Sequence, residues 1–236
     1  MFKRKKKLAP TKARSTCAAI VVAAGNSSRM GGMNKITADL CGMPVLAHTI
    51  IALAKSEVVD EIVVVTRKED FAEVYDICFG MNKVTTIVPG GETRIESTLC
   101  GLREVNTQLV AVHDGARPLV RVDDIDAVIA KAAQYGAAVL ASPINDTIKC
   151  KKDDIVSHTL DRSQLVAVTT PQVFDRELLI RAMTKATISG STATDDAAAV
   201  EKLGVPVHIV MGEVSNLKIT RPQDLIIAKA LLEASL

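Results

Sequence analysis

The sequence contains no tryptophan, and only two tyrosines and four phenylalanines among 236 residues. A core built from this chain therefore rests on Val, Ile, Leu and Ala, a composition that suits parallel strands buried on both faces. The shortage of aromatics also removes the stacking platform on which single-stranded nucleic acids are usually bound. The five cysteines, Cys17, Cys41, Cys78, Cys100 and Cys150, are odd in number and scattered, with no CxxC pair. They read as thiols of a reducing compartment, so a cytoplasmic location is expected. The histidines His48, His113, His158 and His208 lack metal-ligand spacing, which argues against a structural zinc. No apolar run has the length of a membrane span, and a secretory signal is not expected.

The formal charge of +2 is unevenly distributed. Lys3, Arg4, Lys5, Lys6, Lys7, Lys12 and Arg14 crowd the start, and the remainder is mildly acidic. Residues 1–16 are expected to form a solvated, disordered basic tail, with a nucleic-acid arm as the less favoured reading. The length fits one α/β domain, assigned to residues 17–236.

From Cys17 onward, short apolar runs alternate with longer amphipathic stretches, the pattern of βαβ units. Strands are expected at 17–24, 61–66, 84–88, 108–113, 137–143, 165–169, 207–211 and 215–219. Helices are expected at 45–55, 69–78, 94–104, 124–134, 176–186, 195–203 and 222–234. The implied fold is α/β, a Rossmann-like open and mostly parallel sheet with helices on both faces. Residues 144–160 break the rhythm: they are polar and alternate weakly around Ile148 and Ile155, as in a protruding β-arm. Such an arm has little apolar surface of its own and needs a support. A second subunit fits that need, and a homodimer is expected.

The first strand runs into Ala23-Ala24-Gly25-Asn26-Ser27-Ser28-Arg29-Met30-Gly31-Gly32, with Lys35 close behind. Small residues let backbone amides approach a polyphosphate, and Arg29 and Lys35 add positive charge. The pattern is neither a Walker A loop nor a dinucleotide fingerprint, and on local grounds it equally suits a plain turn. Its weight comes from other polar clusters at strand ends, where an open parallel sheet forms its ligand crevice. Asp114-Gly115-Ala116-Arg117-Pro118 follows one strand. Asp114 there is a candidate for a ribose hydroxyl or a phosphate-bound magnesium, and equally for a turn or cap. Pro89-Gly90-Gly91-Glu92-Thr93-Arg94, with Ser97 beyond, follows another. Later come Asp161-Arg162, Thr169-Thr170-Pro171-Gln172, Thr194-Asp195-Asp196 and Asn216-Leu217-Lys218-Ile219-Thr220-Arg221-Pro222. Arg162 and Lys218 suit a phosphate clamp, although Lys218 also suits a solvated strand edge and Thr194 an ordinary N-cap.

In this order the motifs A-A-G-x(3)-R-M-G, H-D-G-A-R-P, D-T-x-K, D-R, T-T-P-Q, T-D-D and N-x-K-I-T-R-P resemble the 2-C-methyl-D-erythritol 4-phosphate cytidylyltransferase family over nearly all of residues 17–236. The resemblance implies attack of the methylerythritol phosphate oxygen on the α-phosphorus of CTP, with magnesium as cofactor and pyrophosphate as leaving group. Arg29 and Lys35 would stabilise transition-state charge, and Arg162 and Lys218 would place the acceptor phosphate. Ala24, Gly25, Gly91, Glu92, Ser97 and Asp114 match positions that hold base and ribose. Thr170 and Thr194 match substrate contacts, and Arg117 and Thr147 fall where loop and arm reach the dimer-related site. The chain departs from the family at Ser27, often glycine, and at Asn34-Lys35-Ile36, commonly Pro-Lys-Gln. Losing the glycine is expected to cost backbone freedom near the triphosphate, and losing the proline to loosen the placement of Lys35. Ribitol 5-phosphate is the nearest alternative acceptor, and a non-catalytic nucleotide-binding protein is the more distant alternative.

Overall fold

A computed structural model describes residues 15–190 and 193–234. The basic residues from Lys3 to Arg14, and with them most of the expected tail, lie outside the described residues.

The chain opens with β1 (Cys17–Val22), a short hairpin of β2 (Asp39–Leu40) and β3 (Met43–Pro44), and α1 (Val45–Lys55). Next come β4 (Glu61–Thr66), α2 (Phe71–Cys78), β5 (Val84–Pro89), α3 (Arg94–Leu102) and β6 (Leu109–Asp114). The second half holds α4 (Val122–Tyr135), β7 (Ala137–Pro143), the arm strands β8 (Lys149–Lys152) and β9 (Ile155–Thr159), and β10 (Val166–Asp175). It closes with α5 (Arg176–Ile188), α6 (Asp196–Glu201), β11 (His208–Met211) and α7 (Pro222–Glu233).

Seven strands form one sheet in the order β11-β7-β10-β6-β1-β4-β5, in which only β10 runs antiparallel to its neighbours. Alternation along β1 explains the two-sided core. Cys17, Ala19 and Val21 face one layer with α1, α2, α4 and α7, while Ala18 and Ile20 face the other with α3, α5 and α6. Successive side chains of a strand point to opposite faces, so a strand apolar at every position must be covered twice. The chain leaves β1 towards β4 and β5, then returns to β6 on its other side. This reversal opens a crevice beyond the carboxyl ends of β1, β4 and β6.

Two strand expectations change. Residues 215–219 form no strand: the stretch after β11 is irregular and is attached to the domain by single bonds, such as Ile219 N–H to the Ala116 carbonyl at 2.8 Å. Its apolar residues alternate as in a strand, but backbone groups such as Ile219 N–H go to neighbouring loops and the Asn216 side chain to Thr170 of β10. The strand expected at 165–169 continues instead to Asp175. The register against β7 shifts between Val168 and Gln172, so Pro171, which has no N–H to donate, sits in an irregularity. The arm is a hairpin as expected, turning at Asp153 with φ of 54°. Its residues are almost all exposed, including Ile155 and Val156. No helix among the described residues is long and apolar enough to cross a membrane.

Candidate active site

The crevice has a volume of about 640 Å³ and lies between the turn after β1, the loop from β5 to α3, and the end of β6. Ala23 N–H donates to Val65 O at 2.7 Å and Gly115 N–H to Val22 O at 2.9 Å, so the strand ends stay paired up to the rim. Ala24 and Gly25 then line the opening. A Cβ on Gly25 would stand 3.3 Å from the Lys35 ammonium, so glycine lets this cation settle against the turn.

The two departures from the family pattern restrain Lys35 in another way. The Ser27 hydroxyl accepts from Lys35 N–H at 3.1 Å, and the Asn34 side-chain carbonyl accepts from Ile36 N–H at 3.2 Å. Asn34 thereby folds its own turn and Ile36 anchors it in the core, which replaces the stiffness expected from proline. Burial, with Lys218 as the next contribution, lowers the Lys35 pKa from the ordinary lysine value, and Asp114 partly opposes this. Arg29 also contributes to the lowering, so it lies within electrostatic reach, although Arg29 itself is exposed, on the single-turn helix Ser28–Met30.

On the side of the loop from β5 to α3, Gly91, Glu92 and Ser97 line the crevice. Ser97 is buried and its hydroxyl accepts from Gly91 N–H at 3.2 Å, so it shapes the loop from beneath. A Cβ at Gly90 would lie 2.6 Å from that of Ala24, which brings the two loops into close approach across the crevice. Thr93 and Glu96 close a reciprocal capping box at the start of α3.

Asp114 is the electrostatic centre. Its Oδ2 accepts from Lys218 Nζ at 2.9 Å and from Arg117 Nε at 3.1 Å, and its Oδ1 faces Arg94 at 3.6 Å. Burial alone would raise its pKa, but Lys218, Arg94 and Arg117 together hold it far below the usual carboxylate range. Arg94 bonds on its other side to Asp196, which is buried and also accepts from the Thr98 hydroxyl at 3.0 Å. Burial outweighs Arg94 and raises the Asp196 pKa.

The magnesium expectation for Asp114 does not fit this donor set, because both of its oxygens are committed to cations. No group of three His, Cys, Asp or Glu side chains able to hold a metal occurs among the described residues.

Several expected site residues lie elsewhere. Thr170 is buried, and its hydroxyl accepts from Asp114 N–H at 3.1 Å while meeting His113 Nδ1 at 2.9 Å. It therefore supports the Asp114 turn from within. Arg117 points into its own chain, towards Asp114 and the Asn216 carbonyl, and not towards the arm. Thr194 does not cap α6; Asp195 does, accepting from Ala198 N–H at 2.9 Å. Thr147 is exposed between β7 and the arm, and Arg162 is exposed at the arm's base, where it donates to the Asn145 carbonyl at 2.5 Å. Neither lines the crevice of its own chain.

Sequence reasoning gave no role to Arg67 and Lys68, which line the crevice, or to Arg94, Asp196 and His113. One signal was available for Arg94. A cation in the first turn of a helix opposes the helix dipole, which calls for compensating carboxylates.

A family model described as 2-C-methyl-D-erythritol 4-phosphate cytidylyltransferase matches residues 17–234. The chain is 44% identical over 224 residues to the protein of that name from Pelotomaculum thermopropionicum, covering 92% of this chain and 94% of the relative. It is 41% identical to the Caldanaerobacter subterraneus protein, covering 91% and 97%. Among solved structures, it superposes on 4-diphosphocytidyl-2C-methyl-D-erythritol synthase from Anaerococcus prevotii with a TM-score of 0.84 at 32% identity, covering 93% and 99%. For the Thermus thermophilus cytidylyltransferase the TM-score is 0.77 at 31% identity, covering 91% and 98%.

Proposed function

Because the chain belongs to the 2-C-methyl-D-erythritol 4-phosphate cytidylyltransferase family, we propose that its crevice transfers CMP from CTP to 2-C-methyl-D-erythritol 4-phosphate. A phosphate oxygen of the acceptor forms a bond to the α-phosphorus of CTP, and the bond to the bridging oxygen of the leaving pyrophosphate breaks. The products are 4-diphosphocytidyl-2-C-methyl-D-erythritol and pyrophosphate, which places the enzyme in non-mevalonate isoprenoid synthesis.

The observation that carries this reading is the convergence of Lys35 and Lys218 on one crevice, each tied electrostatically to Asp114, at the point where the sheet reverses direction. Transfer of this kind depends mainly on positioning and on stabilising charge over the phosphoryl oxygens. Ala24, Gly25, Gly91 and Glu92 provide the nucleotide's side of the crevice. Arg29 and Lys35 face the triphosphate, and Lys218 faces the acceptor phosphate. Magnesium enters with CTP on its phosphates, as part of the substrate.

Arg162 and Thr147 complete an acceptor site only if the arm reaches a second subunit, and a homodimer in the cytoplasm belongs to this same reading. The test is product identification after incubating CTP with methylerythritol phosphate and with ribitol 5-phosphate. Pyrophosphate release with the first and not the second is expected. The reverse preference would overturn the assignment.

A further inference from the structure

Lys218 lies on a stretch that no strand ladder holds, yet its ammonium is fixed on Asp114. Two residues earlier, Asn216 is buried in the domain with a relative exposure of 3%. Its side-chain Nδ2 donates to the Thr170 carbonyl at 2.8 Å and is 3.4 Å from the Thr169 hydroxyl. The register shift in β10 spans Thr170, which frees that carbonyl from the ladder. The carbonyl of Asn216 itself accepts from Arg117 at 2.7 Å. One residue therefore joins the support beneath Asp114 to the guanidinium beside it. Arg117 and Lys218 then meet on the same Asp114 oxygen.

The amide is used asymmetrically. Its donor half is bonded, whereas its buried Oδ1 has no hydrogen-bond partner among the described residues. Leucine would keep the bulk without the donor, and aspartate would place a second acceptor against the Thr170 carbonyl.

Resting on the assignment of Lys218 to the acceptor phosphate, we propose that Asn216 is a positioning residue for acceptor binding, setting where Lys218 and Arg117 present their charge. The test is steady-state kinetics of Asn216→Leu and Asn216→Asp with CTP and methylerythritol phosphate, alongside thermal melting. KM for the acceptor is expected to rise about tenfold or more while KM for CTP stays within about twofold. An unchanged acceptor KM with only a lower melting temperature would show a purely structural role and overturn the proposal, as would parallel rises in both constants. Where these variants fail to fold, Asn216→Ser, which removes the amide without adding bulk, is measured in the same way, and failure of all three to fold also overturns it. Wild-type enzyme inert towards methylerythritol phosphate overturns the assigned reaction itself, a result read before any variant is made.

Discussion

At the scale of single residues, the crevice concentrates positive charge and keeps part of it out of water. Replacing Arg29 or Lys35 with Ala is expected to lower kcat by about two orders of magnitude or more, measured by pyrophosphate release. Lys35 also gives a pH signature. Its ammonium is the useful form, and burial and Lys218 lower its pKa. The alkaline limb of kcat/KM for CTP should therefore fall below the ordinary lysine value. Lys35→Arg should move that limb upward, and a limb that stays in place would assign it to another group. His113 gives an acid signature. It is buried between Thr170 and the Arg117 carbonyl, and burial lowers its pKa to about 4. The unfolded chain takes up this proton near pH 6.5 while the folded chain resists it, so stability is lost as pH falls across that window, by on the order of 3 kcal/mol. Asp114 loses its contribution only at lower pH, and Asp196, with a raised pKa, acts in the opposite sense. Comparing wild type with His113→Asn by urea denaturation at pH 7 and pH 4.5 cancels both carboxylates. The variant is expected to lose less stability between the two.

At the scale of elements, closeness of helix to sheet sets the crevice width. A Cβ at Gly101 in α3 would stand 2.5 Å from Ile20 Cγ2 and 3.1 Å from Val65 Cγ2, both in the core. Gly101→Ala improves helix propensity by about 1 kcal/mol, but the overpacking outweighs it, leaving a net loss of about 1–2 kcal/mol in chemical denaturation. An unchanged midpoint would show that α3 shifts freely, and KM for CTP would then report where its amino-terminal loop had moved. Periodicity in the sequence made the parallel strands legible because β1, β4 and β6 are buried on both faces. It also made the arm legible, since Lys149–Thr159 has little to bury. It failed at 215–219, where Leu217 and Ile219 alternate like a strand but the backbone bonds go to loops. It also cut β10 short at Thr169, because a Thr-Thr-Pro sequence carries no ladder pattern of its own. The glycine-rich turn, Lys35 and Lys218 were readable from residue type and position. The Asp196–Arg94–Asp114 chain was not, because it joins residues distant in sequence whose charges compensate only after folding.

At the scale of the whole molecule, one chain carries two parts of the proposed acceptor site that do not meet. Lys218 lines the crevice, while Arg162 and Thr147 stand at the arm, away from it. The arm's Ile155 and Val156 are 75% and 56% exposed, apolar area that a partner would cover. If the arm of one subunit completes the crevice of another, the defects Arg162→Ala and Lys218→Ala belong to different chains of a shared site. Each variant alone should be nearly inactive, because every site in its homodimer lacks one cation. In a mixed dimer, one site receives both defects and the other receives neither. Random exchange of equal amounts should then restore about a quarter of wild-type activity, since half the dimers are mixed and half their sites are intact. Activity that stays at the level of the separate variants after exchange would place Arg162 and Lys218 in the same site of one chain. Such a result would require the arm to fold back, and the dimer would then play no part in building the acceptor site.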